Sequence, residues 1–249
     1  MTPLISIITC CYNSQETIGD TFNSIRIQTF KDFELIVIDG NSSDNTLEII
    51  KQNADLVTKL ISEKDNGVYD AMNKGIESAK GKVIGFLNSD DFFFNENVLN
   101  EIAQAFLQAD IDCSYANMLY VDRYDTSKIK REWISGRFYK NYLKDGWIPG
   151  HPTFYVRKEI YERLGKFNLK MKLAADYELM LRILSHPGIK VMYLPKTHVV
   201  MRLGGITSKN LKNRMKQNIE IYQAWLINDM KPGILLFVRR LIIKIKQIQ

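Results

Sequence analysis

Over roughly the first hundred residues, apolar positions recur at two spacings, and the alternation between the two predicts the fold. β-Branched runs of strand length cover Ile5 to Thr9 and Glu34 to Asp39, while Ile18, Phe22 and Ile25 keep helical spacing in a segment from about Ser14 to Gln28. This is a βαβ unit. Asn41-Ser42-Ser43-Asp44-Asn45 follows as a turn and helix cap, and a short helix passes through Ile49 and Ile50. A strand over Val57 to Ser62, a helix from about Tyr69 to Ala79 closed by Lys80-Gly81, and an apolar strand from Val83 to Leu87 continue the series. Strands alternating with helices predict a mostly parallel sheet covered on both faces.

The pattern changes after a helix from about Val98 to Leu107. Ser114 to Trp133 reads as shorter, Tyr-rich strands suited to an antiparallel extension. Helical spacing returns over Asp176 to Leu184, and short strands are expected over Val191 to Leu194 and His198 to Leu203. With no internal repeat and no low-complexity linker, the economical division is one α/β domain over residues 1–208 and a helical tail over 209–249. From Pro232 that tail sets Val238, Leu241, Ile242, Ile245 and Ile248 on one helical face and Arg239, Arg240, Lys244 and Lys246 on the other, with Ile243 interrupting the polar side.

Charge sharpens this division. The chain of 249 residues carries a formal net charge of +6, and residues 209–249 hold nine Lys/Arg against two acidic residues, so the whole excess lies in the tail. A nucleic-acid enzyme more often lines its working cleft with basic residues interleaved with aromatics, so no nucleic-acid partner is expected. A basic amphipathic helix suits an anionic membrane surface instead, with a packed helix as the structural alternative. The three cysteines, Cys10, Cys11 and Cys113, have no metal-type spacing and read as buried thiols of a reducing compartment. The N-terminus carries no signal-peptide pattern, and no uncharged apolar run approaches the roughly 20 residues of a spanning helix.

Candidate chemistry falls at strand ends, where open α/β sheets bind ligands. Thr9-Cys10-Cys11-Tyr12-Asn13 lacks the glycines of a dinucleotide turn, and no Gly-Lys-Ser/Thr phosphate loop occurs. Asp39 closes the second strand, where a carboxylate can accept the imino N–H of uracil, thymine or guanine; a turn role is the alternative. Asp65 or Asn66 can cap the helix that carries Asp70, Asn73 and Lys74. Asn88-Ser89-Asp90-Asp91 ends an apolar strand in carboxylates, oxygen ligands of the kind Mg²⁺ or Mn²⁺ shares with a substrate phosphate, although a solvated turn or helix cap is equally compatible. Asp176 and Glu178 precede an apolar helix, which dipole and capping effects alone would also explain.

In order, Thr9-x-x-Tyr12-Asn13, Ile38-Asp39-Gly40-x-Ser42-x-Asp44-x-Thr46, Glu63-x-Asp65-x-Gly67-x-x-x-Ala71-x-Asn73-x-Gly75, Leu87-Asn88-Ser89-Asp90-Asp91 and Ala175-Asp176-Tyr177-Glu178 resemble the family 2 nucleotide-sugar glycosyltransferases of GT-A fold. The likeness spans roughly residues 4 to 205 and is nearest to bacterial enzymes of colanic-acid, O-antigen or capsule biosynthesis. It implies a Rossmann-like, mostly parallel mixed sheet and an inverting transfer from a nucleotide-diphosphate sugar, with a UDP-sugar favoured. The acceptor would be a glycan or a polyprenyl-diphosphate-linked glycan. It also implies donor contacts from Thr9, Tyr12, Asp39, Asp65, Asn88, Ser89 and Arg202, and Mn²⁺ or Mg²⁺ held by Asp90 with Asp91 as a weaker ligand. Asp176 would be the general base, and His151 and Glu178 would touch acceptor or diphosphate. Asn88 stands where the family usually has an aspartate, which removes one negative charge from the metal site. The loop from Arg202 through Gly204, Gly205 and Ile206 to Ser208 resembles one that closes over the donor diphosphate. A cytoplasmic enzyme, peripheral on the inner face of the cell membrane, follows from this likeness and the basic tail. A non-catalytic nucleotide-sugar-binding module on the same fold is the alternative, since fold does not fix function.

Overall fold

Four parallel strands carry the alternation read from the sequence: β1 (Ile5–Cys11), β2 (Phe33–Asp39), β3 (Lys59–Ser62) and β4 (Val83–Phe86), side by side in the order β3-β2-β1-β4. The structure is a computed structural model that describes residues 2–204, 211–233 and 235–245. The crossovers are α1 (Ile18–Arg26), α2 (Thr46–Gln52) and α3 (Val68–Ser78). The register aligns Cys11 with Asp39 and Asp39 with Ser62, so three side chains stand in one row at the C-terminal edge. α3 lies close against β1 because Gly75 has no side chain. A Cβ there would fall 2.4 Å from Ile8 Cγ2.

The second half completes a mixed sheet. β5 (Asp91–Phe93) and α4 (Val98–Gln108) lead into β6 (Cys113–Val121), β7 (Ile129–Trp133) and α5 (Lys140–Lys144). A 3₁₀ turn over His151–Thr153 precedes β8 (Tyr155–Arg157), α6 (Lys158–Leu164), α7 (Ala175–Ser185) and β9 (Val191–Arg202), and the chain ends in α8 (Leu211–Ile227) and α9 (Leu236–Ile245). β8 joins antiparallel between β4 and β6, β9 runs parallel to β6, β5 pairs antiparallel with β9, and β7 pairs antiparallel with β6.

Several expectations change here. β6 is a long, largely buried strand because β8 and β9 flank it, where the sequence suggested a short polar one. The two strands expected over 191–203 form a single strand whose pairing with β6 shifts between Ala116 and Met118, opposite Pro195 and Lys196. Proline cannot donate to the ladder, so the register slips there without the strand ending. Asp91 begins a short strand, which places its side chain in the interior.

Each sheet face has its own core. Ile5, Ile7, Phe22, Leu35 and Phe106 pack on one side, and Ile8, Ile38, Phe86, Met180 and Trp225 on the other. α8 therefore contributes to the main core: Ile221, Ala224 and Trp225 are buried, and Trp225 Nε1 donates to Tyr177 Oη at 3.1 Å. All three cysteines are free and buried, and burial pushes their thiols well above the usual range. Among the described residues no helix is long and apolar enough to cross a membrane.

Candidate active site

The row at the strand ends builds the first wall. Asp39 is fully buried; its carboxylate accepts from Ser42 N and Ser42 Oγ and, at 2.7 Å, from Ser62 Oγ. Those donors fill most of the roughly four lone-pair directions of a carboxylate and fix its plane. Beside it, Tyr12 is 64% exposed, which leaves its ring free to meet a ligand. Asn13 adopts φ +50 and ties the two loops together, with its Oδ1 accepting from Ser43 N at 2.9 Å. Asp65 reaches over from the loop before α3, and Gly40 makes its position possible: a Cβ on Gly40 would stand 2.7 Å from Asp65 Oδ2 and 3.5 Å from the Tyr12 ring. Asp65 Oδ1 accepts from Gly67 N at 2.9 Å, which closes a turn before α3; neither Asp65 nor Asn66 caps that helix as expected, because the N-cap position falls to Gly67.

The loop after β4 forms the floor. Ser89 Oγ lies 2.8 Å from Ser14 Oγ, which fastens it to the loop after β1. Asn88 Nδ2 donates to Asp91 Oδ2 at 3.1 Å, and Asp91 Oδ1 is buried with no hydrogen-bond partner. Burial raises the Asp90 carboxyl above its usual range against the pull of Arg123 and Arg202, and burial together with the charge of Asp90 raises Asp91 further. Such a pair carries more buried negative charge than its protein neighbours compensate. Among the described residues no group of three His, Cys, Asp or Glu could hold a metal ion. The unpartnered Asp91 Oδ1 and the Asp90 carboxylate would suit a hard divalent cation that takes one or two carboxylates and completes its shell with water and substrate phosphate.

Arg202 lies beneath this loop. Its guanidinium donates to the Asp90 carbonyl at 2.9 Å, pairs with Asp20 and covers the Phe92 ring. It is buried, so the structure makes it a brace for the Asp90 loop. The expected closing loop from Gly205 to Ser208 lies outside the described residues.

Asp176 stands in the first turn of α7, where the positive end of the helix dipole favours a carboxylate. It is partly exposed, and Tyr69 Oη donates to its Oδ1 at 2.9 Å. Burial, reinforced by the charge of Asp176, raises the Tyr69 phenol well above its usual range, so Tyr69 stays a donor. His151 stacks on Phe86 with ring centroids 5.5 Å apart, and burial lowers its imidazole pKa against the charge of Asp176. Burial raises the Tyr120 phenol above its usual range, Arg131 opposes the rise, and the charges of Asp91 and Asp176 add to it.

Two expected residues are not brought to this group. Glu178 is buried, held by Arg182 Nε at 2.8 Å and Nη2 at 2.9 Å and by Asn228 Nδ2 at 3.0 Å. Residues two apart on a helix point to different sides, so Asp176 and Glu178 serve different ends. Thr9 is buried inside β1 with its hydroxyl unpartnered, two residues short of the strand's end. Conversely, Tyr69 bonds Asp176, Ser62 bonds Asp39 and Glu220 bonds the loop before α7, none of which was given such a role from the sequence. Glu220 of α8 accepts from the backbone N–H groups of Lys172, Leu173 and Ala174 at 2.8–3.1 Å.

The sequence and the fold both match known proteins. Residues 6–165 match the sequence model of the family described as Glycosyl transferase family 2. The chain belongs to that family. A PGL/p-HBAD biosynthesis glycosyltransferase of Mycobacterium bovis is 32% identical over 213 residues, covering 83% of this chain and 80% of its own. The Escherichia coli protein WfaP, a UDP-Glc:alpha-D-GlcNAc-diphosphoundecaprenol beta-1,3-glucosyltransferase, is 31% identical over 227 residues, covering 86% and 84%. Among solved structures, S. aureus TarS 1-349 in complex with UDP-GlcNAc superposes with TM-score 0.69 at 19% identity over 90% of this chain and 65% of that one. Mannosyltransferase PcManGT from Pyrobaculum calidifontis, in complex with GDP-Man and Mn²⁺, gives 0.68 at 19% over 98% and 70%. These family 2 relatives and GT-A neighbours make the chain a glycosyltransferase with a curled, mostly parallel sheet flanked by helices.

Proposed function

We propose that this glycosyltransferase moves a sugar, with inversion at the anomeric carbon, from a UDP-sugar to a glycan carried on a polyprenyl diphosphate, in bacterial surface polysaccharide synthesis. The observation that supports this reading is Asp176 in the first turn of α7, partly exposed, with one carboxylate oxygen bonded by Tyr69. In a single displacement the acceptor oxygen bonds to the anomeric carbon as the bond from that carbon to the diphosphate oxygen breaks. Its proton passes to the Asp176 carboxylate, a general-base contribution of roughly 100- to 10,000-fold. No covalent enzyme intermediate is required.

Tyr12, Asp39 and Asp65 would bind the nucleoside, Asn88 and Ser89 would contact the donor from the floor, and Arg202 would fix the loop that carries Asp90. Asp90, with Asp91 behind it, would hold Mn²⁺ or Mg²⁺, which when bound supplies Lewis-acid neutralisation of the charge on the departing nucleoside diphosphate. His151, predominantly neutral near pH 7, lines the acceptor side. WfaP, a relative named for joining a UDP-sugar to a diphosphoundecaprenol-linked sugar, supports the choice of donor and acceptor class. A lipid-linked acceptor implies an enzyme at the inner face of the cell membrane, and the exposed apolar side chains of α9 support that place.

A thermal-shift series with UDP, GDP and dTDP, each with and without Mn²⁺, tests the donor assignment. A ligand at a hundred times its Kd stabilises by about 2.7 kcal/mol. UDP should raise Tm most, and more so with Mn²⁺. A larger shift with GDP would reassign the nucleotide.

A further inference from the structure

Glu220 joins two parts of the chain that the sequence presents as separate. The loop over residues 172–174 leads directly into the first turn of α7, where Asp176 stands, and its three successive N–H groups point at one carboxylate on α8. Glu220 Oε2 accepts from Lys172, Leu173 and Ala174 at 3.1, 2.8 and 2.9 Å, and Oε1 accepts from Lys172 at 3.1 Å. Gln217, one turn earlier, donates from Nε2 to the Leu173 carbonyl at 3.3 Å. α8 therefore holds both the donors and an acceptor of this loop. Three convergent N–H groups beside a helix N-terminus form an anion cradle, and here the anion comes from α8. The charge of Glu220 also reaches Tyr69, the residue that bonds Asp176.

We infer that Glu220 is a positioning residue for the transfer reaction, fixing the entry to α7 and so the aim of Asp176, which makes α8 part of the catalytic apparatus. The inference rests on the reading of Asp176 as general base. An error of about 1 Å in placing a reacting group can cost on the order of 100-fold in rate. Elsewhere α8 is held by Trp225 against Tyr177 and by Asn228 against Glu178, so the helix can stay docked when Glu220 is altered. Glu220→Gln suits the test because it removes the negative charge on which the three N–H groups converge, and its NH₂ sets hydrogens against the Lys172 N–H or its neighbours where a carboxylate oxygen now accepts.

Amide hydrogen exchange on the full chain should show Lys172, Leu173 and Ala174 losing protection in Glu220→Gln while α7 beyond Tyr177 keeps it. Turnover, read as UDP release from UDP-glucose with acceptor, should fall tenfold or more, with KM for the donor within twofold of wild type. Asn228→Ala, which loosens α8 at its far end, should lower Tm with kcat within twofold. A merely structural Glu220 would make the two variants lose Tm and kcat in parallel, which would overturn the inference. If Glu220→Gln fails to fold, Glu220→Asp keeps the charge but shortens its reach, and an unchanged kcat there would equally overturn it. Wild-type turnover in Asp176→Asn would sink the base reading itself. An inactive Asp176→Asn beside a fully active Glu220→Gln would sink only the positioning role.

Discussion

Tyr69 and Asp176 lie 107 residues apart and meet through a 2.9 Å hydrogen bond from the phenol to Oδ1. The phenol is buried, and its ring stacks on Phe167 with centroids 5.5 Å apart, so the donor is held by packing before it holds the carboxylate. One carboxylate oxygen is thereby occupied. A base needs its other oxygen free and aimed, and this bond restricts the rotation that would spoil the aim.

Asp176→Asn should therefore abolish transfer, a loss of about 100- to 10,000-fold in kcat, while UDP still raises Tm as in wild type. Tyr69→Phe keeps the ring and loses only the hydrogen bond. Its kcat should fall several-fold, with a stability cost of about 1 kcal/mol. Steady-state turnover and thermal unfolding of both variants check this, and near wild-type turnover in Asp176→Asn would exclude it as base.

The Asp90–Asp91 pair has a pH signature. Asp91 has its carboxyl raised by burial and by Asp90, so between the unfolded value near 4 and the raised folded value the native state binds the extra proton. Stability without metal is then greatest below the unfolded value and is lost as pH rises through the folded one. In EDTA, Tm should decline across that window for wild type and decline less for Asp91→Asn. Mn²⁺ should restore Tm at neutral pH in wild type and not in Asp90→Ala. A flat EDTA profile in wild type would remove the electrostatic argument for a cation here.

Gly40 permits the approach of Asp65 to Tyr12. Gly40→Ala would place a methyl 2.7 Å from Asp65 Oδ2, closer than real contacts of this kind come, and so must displace the carboxylate. Affinity for UDP should drop by a factor comparable to that of Asp65→Ala, and the double variant should lose little more, because both changes remove one contact. Calorimetric titration of UDP into the three variants measures this. Additive losses would mean that Gly40 acts elsewhere.

What the sequence revealed and concealed follows from the range of each signal. β-Branched runs and 3.6-residue spacing are local, so β1, β2, α3 and α7 were legible, and Asp39, Asp90 and Asp176 stood out as acids at the ends of such runs. β8 and β5 were not, because three residues carry too little periodicity to separate a strand from a turn. Asp176 and Glu178 look alike in sequence, and only the partners Arg182 and Asn228, brought in from elsewhere on α7 and from the turn after α8, set the buried, paired Glu178 apart from the partly exposed Asp176. Tyr69 and Glu220 act through contacts across long separations, which no single-chain pattern encodes.

The tail offers the last prediction, and its geometry supplies the argument. On α9, Leu236 is buried against Gly146, and Arg240, one turn later, lies over the Tyr177 ring at 4.8 Å, so this side of the helix is docked on the body. Val238 and Ile242, themselves one turn apart, are 54% and 46% exposed. Ile248 and Lys246 of the expected amphipathic pattern lie outside the described residues. Residues from Lys231 onward carry five basic and no acidic side chains, each contributing on the order of 1 kcal/mol near an anionic surface. Apolar side chains facing outward within a basic segment suit a helix lying at a headgroup boundary. In co-sedimentation at low salt, the full chain should pellet with phosphatidylglycerol-containing vesicles and not with pure phosphatidylcholine. Truncation after Met230 keeps Trp225 and α8 in the core and should release the protein to the supernatant. Val238→Ser with Ile242→Ser should do the same while leaving the charge unchanged, and equal pelleting of the truncated form would show that the membrane contact lies elsewhere.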